Sequence, residues 1–338
     1  MSVKFGMLVS KQHLEGEDLL RRFDEHCEQV RFIRDLGWHS VCIGQHYLSS
    51  PWREFQQVPM LARLKADAGD MLLASTIALT GLRHPVEVAE QMATLDIICE
   101  GRFAFGVGLG YRDVEYDSFG VGRADRVPRF VESLRLIDKL WTGDVVNHTG
   151  RYFQLNGVQL STLPVQRPRP PIWMAANNDG AVKRTARMAD TWVVNPHAKL
   201  ATIEPQIQLY RETLKSLGKP FPAELPIIKE VYVADDAETA WRDVAPFLER
   251  KYNAYIDWGQ HKALPKHDTF LMPFKELTED RFIIGDVDYC VAELERHRER
   301  LGVNHFIFRV QYPGMKQDKI LRTLELLGKK VAPRLMAA

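Results

Sequence analysis

The 338-residue sequence is short of cysteine, of net charge and of long apolar runs, and each shortage removes a class of protein. Its four cysteines, Cys27, Cys42, Cys99 and Cys290, lie far apart with no Cys-x-x-Cys spacing. They assemble neither a disulfide scaffold nor a zinc site, and three sit in apolar runs where a thiol serves as a small hydrophobe. The formal net charge is +1, so no global field points to nucleic acid or an acidic membrane as a partner. No apolar run is long enough to span a bilayer, and the start Met-Ser-Val-Lys-Phe-Gly has no apolar core ahead of a cleavage site. A cytoplasmic protein is expected. His13, His46, His84, His197 and His305 are single and dispersed, which argues against a metallo-hydrolase, and no metal site is expected. A Gly-x-Ser-x-Gly nucleophile elbow is missing too.

What is present is a regular alternation. Hydrophobic residues make up 45% of the chain and charged residues 26%, enough to bury a sizeable core. Short apolar runs at 3–9, 40–44, 71–79, 102–107, 171–175, 191–194, 227–234 and 304–310 read as strands, each followed by a stretch of helical periodicity. The third, fourth, fifth and eighth are apolar on both faces, as expected of parallel strands covered on both sides. Eight such units fit a single α/β domain over 1–338, a (β/α)8 TIM barrel, better than a doubly wound sheet. Two insertions break the rhythm. Residues 145–170, after the strand-four helix, hold a hairpin turning at Thr149-Gly150 and a proline-rich run. Residues 251–283, after a strand-seven helix expected to end at Arg250, are irregular and lid-like.

In such barrels the reactive groups sit at the carboxyl ends of the strands. That rule selects Ser10 to His13, Gln45-His46-Tyr47, Ser75-Thr76, Gly108 to Arg112, Asn177 to Gly180, Asn195 to His197 and Arg309 to Gln311. In Gly106-Val-Gly-Leu-Gly110 three glycines strip one face of a strand end, either to admit a ligand or to relieve crowding. Their spacing is wrong for a Gly-x-Gly-x-x-Gly dinucleotide fingerprint. At Asn177-Asn-Asp-Gly-Ala181 a tight turn enters a helix, leaving free N–H groups at a positive helix end. That is a ready phosphate site, although Asn178 or Asp179 acting as a simple cap gives the same pattern.

An ordered set of motifs resembles the bacterial luciferase-like flavin-dependent monooxygenases. It comprises Arg83-His-Pro-Val86, Ala89-Glu-Gln91, Thr94-Leu-Asp96, Gly101-Arg102, Gly106-Val-Gly108, Gly110-Tyr111, Phe119-Gly120, Pro170-Pro-Ile172, Arg187 to Trp192, Ile284-Gly285, Gly302-Val303 and Pro313-Gly314. The resemblance implies a barrel that binds reduced FMN. The isoalloxazine ring would lie against Ser75, Thr76, Gly108, Leu109, Gly110 and Tyr111, and the phosphate at Asn177, Asn178, Asp179, Gly180 and Ala181. On that basis ligand approach becomes the expected role of the glycines.

Luciferases carry Glu-His-His after strand two; this chain has Gly44-Gln45-His46. His46, with Gln45 beside it, is then the expected catalytic residue, able to hydrogen-bond or move a proton. FMNH2 from a separate flavin reductase would react with dioxygen to a flavin-4a-hydroperoxide that oxidises an organic substrate, with residues 251–283 as cover and a homodimer as the assembly. Trp52, Phe55, Tyr111, Trp192 and Trp258 are candidates for an apolar substrate space, while Arg112 and Arg309 leave an anionic substrate open. Related barrels transfer hydride with a deazaflavin instead, and the lost first histidine also allows a catalytically silent flavin-binding protein.

Overall fold

The computed structural model describes residues 3–337; Met1, Ser2 and Ala338 lie outside the described residues. Eight parallel strands close into a barrel: β1 Lys4–Val9, β2 Ser40–Ile43, β3 Leu72–Ser75, β4 Phe103–Val107, β5 Ile172–Ala176, β6 Thr191–Val194, β7 Pro226–Val233 and β8 His305–Arg309. Each pairs with the next in sequence, and β1 pairs with β8 to shut the ring. A further short strand, Ile283–Gly285, extends the sheet along the end of β7.

The strands explain themselves by their side chains. All residues of β2, β4, β6 and β7 are buried, because one face meets the helices and the other fills the lumen. Leu8, Cys42, Ala74, Ala104, Trp173, Val193, Ile228 and Ile307, one from every strand, pack together inside the barrel. The barrel is therefore plugged, and a ligand can reach it only at an end.

The main outer helices are α1 Leu19–Asp35, α2 Gln57–Ala68, α3 Pro85–Ile98, α4 Arg126–Leu140, α5 Asp179–Met188, α6 Leu200–Ser216, α7 Ala237–Asp257, α8 Val287–Leu301 and α9 Gln317–Leu326. Their starts follow local chemistry. Asp18, Asn178, Asp236 and Asp286 each accept first-turn backbone N–H groups of α1, α5, α7 and α8. Pro85 opens α3, where a missing N–H costs nothing.

Four details differ from the sequence expectations. α7 does not stop at Arg250 but runs to Asp257, so the irregular stretch is 258–282, broken by short helical turns. β3 ends at Ser75, with Ala78 making only an isolated bridge to Val107. The polar loop after β4 contains a short helix, Asp113–Ser118. A two-residue ribbon, Gln12–His13 against Arg53–Glu54, was not anticipated. The hairpin pairs Val146–Thr149 with Gln154–Val158. No helix among the described residues is long and apolar enough to cross a membrane.

Candidate active site

The carboxyl ends of the strands surround a cavity of about 510 Å³. Its lining includes Gln45, His46, Thr76, Leu109, Gly110, Tyr111, Asn177, Asn178 and Ala181, which the loops after β2 to β5 bring together. Ser75, Gly108, Asp179 and Gly180 do not border it. Ser75 lies buried under the rim, its hydroxyl bonded to the backbone N–H and carbonyl of Gly106 at 2.9 Å each.

The glycines are partly a packing device. A Cβ on Gly106 would stand 1.8 Å from the Ser75 carbonyl oxygen, and one on Gly108 would stand 1.9 Å from Ile77 Cδ1. Close approach of β4 to the backbone leaving β3 demands Gly106, so crowding explains that glycine, while at Gly108 the neighbour is the tip of the Ile77 side chain. Gly110 alone of the three lines the cavity, with a positive φ of 77°.

His46 is held on three sides. Its Nδ1 lies 3.1 Å from Glu115 Oε1, an oxygen that also accepts the Tyr47 backbone N–H at 2.9 Å. Because Glu115 acts as acceptor, the proton resides on Nδ1, and Nε2 is left for a ligand. The imidazole meets the rings of Tyr111 and Trp258 edge-on, at 5.7 Å and 5.3 Å between centroids. Arg112 places its guanidinium 3.9 Å over the Trp258 ring and donates to the carbonyls of Tyr47 (2.6 Å) and Leu48 (2.9 Å). Trp258 in turn donates its indole N–H to the Ser50 carbonyl at 2.8 Å and stacks on Tyr255. The first residues beyond α7 thus cover the histidine.

Glu115 is the partner of His46 that the sequence did not single out from the polar loop after β4. It is fully buried on the short helix after β4. A signal existed: Arg112 and Glu115 stand three apart, on one side of any helical turn. Gln45 borders the cavity and ties the loops together. Its carboxamide oxygen accepts the Leu79 N–H at 2.8 Å and its amide nitrogen donates to the Tyr47 hydroxyl at 2.9 Å, so both ends are committed to loop geometry. Of the aromatic candidates, Tyr111 and Trp258 line the cavity. Trp192 packs on Tyr210 in the outer core, and Phe55 packs on His13, His26 and Phe23. Trp52 is buried away from the cavity.

Two corners of the cavity carry positive charge. At the first, α5 begins with Asn178 accepting the Ala181 N–H at 3.1 Å, and Arg123 and Arg126 face the same space. Arg123 pairs with Asp113. Neither Arg126 nor the nearby Arg184 has a carboxylate in ion-pair reach among the described residues, and burial and then the Arg126 charge lower the pKa of Arg184. A helix amino end and an uncompensated guanidinium together suit a phosphate.

At the second corner, Arg309 from the end of β8 meets Glu230 of β7 and Lys251 and Tyr255 of α7. Burial, followed by the Arg309 charge, pushes the Lys251 ammonium down to about 7. His197, bonded through Nδ1 to Tyr252 at 3.1 Å, is held well below the usual imidazole range by burial and by Arg309.

Residues 3–305 match the family model described as luciferase-like monooxygenase. The chain is 22% identical to the oxygenase component of the flavin-dependent trigonelline monooxygenase of Acinetobacter baylyi, over 98% of this chain and 95% of that one. It is 25% identical to an F420-dependent glucose-6-phosphate dehydrogenase of Nakamurella multipartita, over 99% and 97%. Its fold superposes on the crystal structure of the monooxygenase RslO1 of Streptomyces bottropensis with a TM-score of 0.85 at 22% identity, covering 98% and 99% of the two chains. A barrel with this cavity and a family match over most of its length places the chain in the luciferase-like monooxygenase family.

Proposed function

We propose that the protein is the oxygenase component of a flavin-dependent monooxygenase, taking reduced FMN from a separate reductase and using dioxygen to oxidise a small organic substrate. The observation that carries this reading is the pairing of His46 with Glu115 on the same cavity as the uncompensated Arg126 corner. The residues present fit FMN. Arg126 and the first turn of α5 would hold the phosphate, and Thr76, Ile77, Leu109, Gly110 and Tyr111 offer a largely apolar bed for a flat ring. When bound, reduced FMN supplies the electrons and the site at which dioxygen is activated.

The chain's own residues do the rest. Glu115 fixes the His46 tautomer, so Nε2 accepts a proton from a reacting group or, once protonated, returns it. Tyr111 and Trp258 set ring surface against the imidazole, with Tyr255 stacked behind Trp258, an apolar flank of the kind that limits hydrolysis and decay of reactive species. Gln45 and Arg112 lock the loop after β2, so that His46 does not wander from its partner.

The test is rapid mixing of the protein with FMNH2 and oxygenated buffer. The reading expects tight binding of reduced FMN and a transient absorbance distinct from free flavin oxidation. Tight binding of F420 with no protection of FMNH2 would replace it by hydride transfer, the chemistry that the dehydrogenase relatives are named for.

A further inference from the structure

The second charged corner has no role in holding FMN as assigned above, yet it is the most elaborate polar construction in the molecule. Glu230 is fully buried, and its Oε1 is shared by Lys251 Nζ at 2.5 Å, Arg309 Nη1 at 3.3 Å and the Tyr252 hydroxyl at 3.5 Å. Lys251 is fully buried as well, packed among the rings of Tyr252, Tyr255 and Tyr312 at 5.1–5.6 Å. Two cations therefore share one carboxylate. The other ion pair on this side, Lys11 with Glu54 at 2.5 Å, is self-contained. A buried cation without its own counter-charge is costly, by several kcal/mol, unless something else supplies the anion.

The arrangement of donors says what that anion should look like. Both protein partners of Arg309, Glu230 and the Tyr255 hydroxyl (3.3 Å), sit on Nη1. Nε is buried with no partner, and no bond from Nη2 occurs among the described residues. The side chain retains 15% exposure and borders the cavity, so its remaining exposure faces that space. The Nη2 group of a guanidinium that borders a cavity is a charged donor suited to a carboxylate oxygen. Beside it, Tyr255 stacks on Trp258, and Trp258 touches His46. One aromatic pair thus runs from the cation to the proposed reactive edge, an apolar wall along which the rest of a small acid can lie.

We propose that Arg309, which shares Glu230 with Lys251 and borders the cavity with Nη2 unbonded, binds the carboxylate of a small organic acid, which is the substrate class of this cavity. The assignment rests on the monooxygenase reading for what happens to the acid, but its binding half is testable separately.

The experiment is calorimetric titration of FMN-loaded protein with matched pairs of acid and primary amide: benzoate with benzamide, nicotinate with nicotinamide, hexanoate with hexanamide. At least one acid should bind tenfold or more tightly than its amide. Arg309→Met should abolish that preference while leaving FMN affinity within twofold. Glu230→Gln, which removes the competing carboxylate, should strengthen acid binding. No preference in any pair, or a preference that survives in Arg309→Met, overturns the proposal. So does an Arg309→Met variant that loses FMN affinity in a protein that never preferred acids, because the arginine would then serve the flavin. If FMN itself does not bind, the same titrations are run on the flavin-free protein with Arg126→Gln as background. An Arg309-dependent acid preference there upholds the subsite while the monooxygenase reading falls, and its absence overturns both.

Discussion

At the amino end of the barrel, His305 is bonded on both ring nitrogens, to Glu224 at 2.7 Å and to Ser40 at 2.8 Å, and Lys4 closes the second oxygen of Glu224. Asn304 ties the same floor to Leu225 N–H and the Ala223 carbonyl. At the carboxyl end, the Thr76 and Tyr111 hydroxyls, one oxygen each of Glu115 and Glu230, and Arg309 Nε are all buried without a partner. The two ends use the same kinds of side chain. Buried polar groups that are paired hold a structure, and unpaired ones cost stability unless something meets them; the carboxyl end gathers several around one cavity, while the amino side has Trp38 Nε1 and Arg102 Nε among its own. His39, Glu224 and His305 even bring potential ligand atoms within 4.8 Å of one another. With Lys4 on the carboxylate and both His305 nitrogens engaged, that group serves the floor.

The contrast can be broken by experiment. Acidification should have the largest effect, and it acts on buried imidazoles outside the open corners. Burial lowers His13 and His39 to about 4 and His26 and His297 to about 3. Their native states resist protonation while the unfolded chain takes up protons near its ordinary value of about 6.5. Stability is therefore complete above that value and declines as pH falls toward 4, by roughly 1–2 kcal/mol per group at pH 5. Urea unfolding at pH 7 and pH 5 measures it, and equal midpoints would refute it.

Next comes His46→Ala, expected to lower turnover about 100-fold, the range of general acid–base catalysis, with FMN affinity nearly unchanged. Turnover within twofold of wild type would remove His46 from the chemistry. At the opposite end, Glu224→Ala should cost about 1–3 kcal/mol in urea by orphaning His305, and should leave FMN affinity alone. A change in flavin binding there would dissolve the division between the two ends. The smallest effect is expected from Arg126→Gln, a fall in FMN affinity of roughly tenfold, about 1.4 kcal/mol, without loss of stability. Fluorescence titration reads it.

The barrel was legible because eight short apolar runs alternate with helical periodicity, four of them apolar on both faces as strands covered on both sides must be. The end of α7 was not, since the inward face of 251–257 is built from Lys251, Tyr252 and Tyr255 instead of aliphatic residues. A helix that buries a polar network shows no apolar stripe to read. His46 could be placed from its position after β2, but Glu115 could not, because its partnership spans 69 positions of sequence. Gly106 misled for a related reason. A missing side chain announces close approach and does not say of what, and here the neighbour was the chain's own Ser75.

Trp258 joins two tasks that could have been separate. Its indole is a platform for Arg112, an edge against His46 and a latch on the Ser50 carbonyl. Any movement of 258–282 wide enough to lift that ring would take the platform from under the arginine that braces the β2 loop and the edge from beside the histidine. Cover over the cavity and the brace on the β2 loop are thus coupled through one side chain.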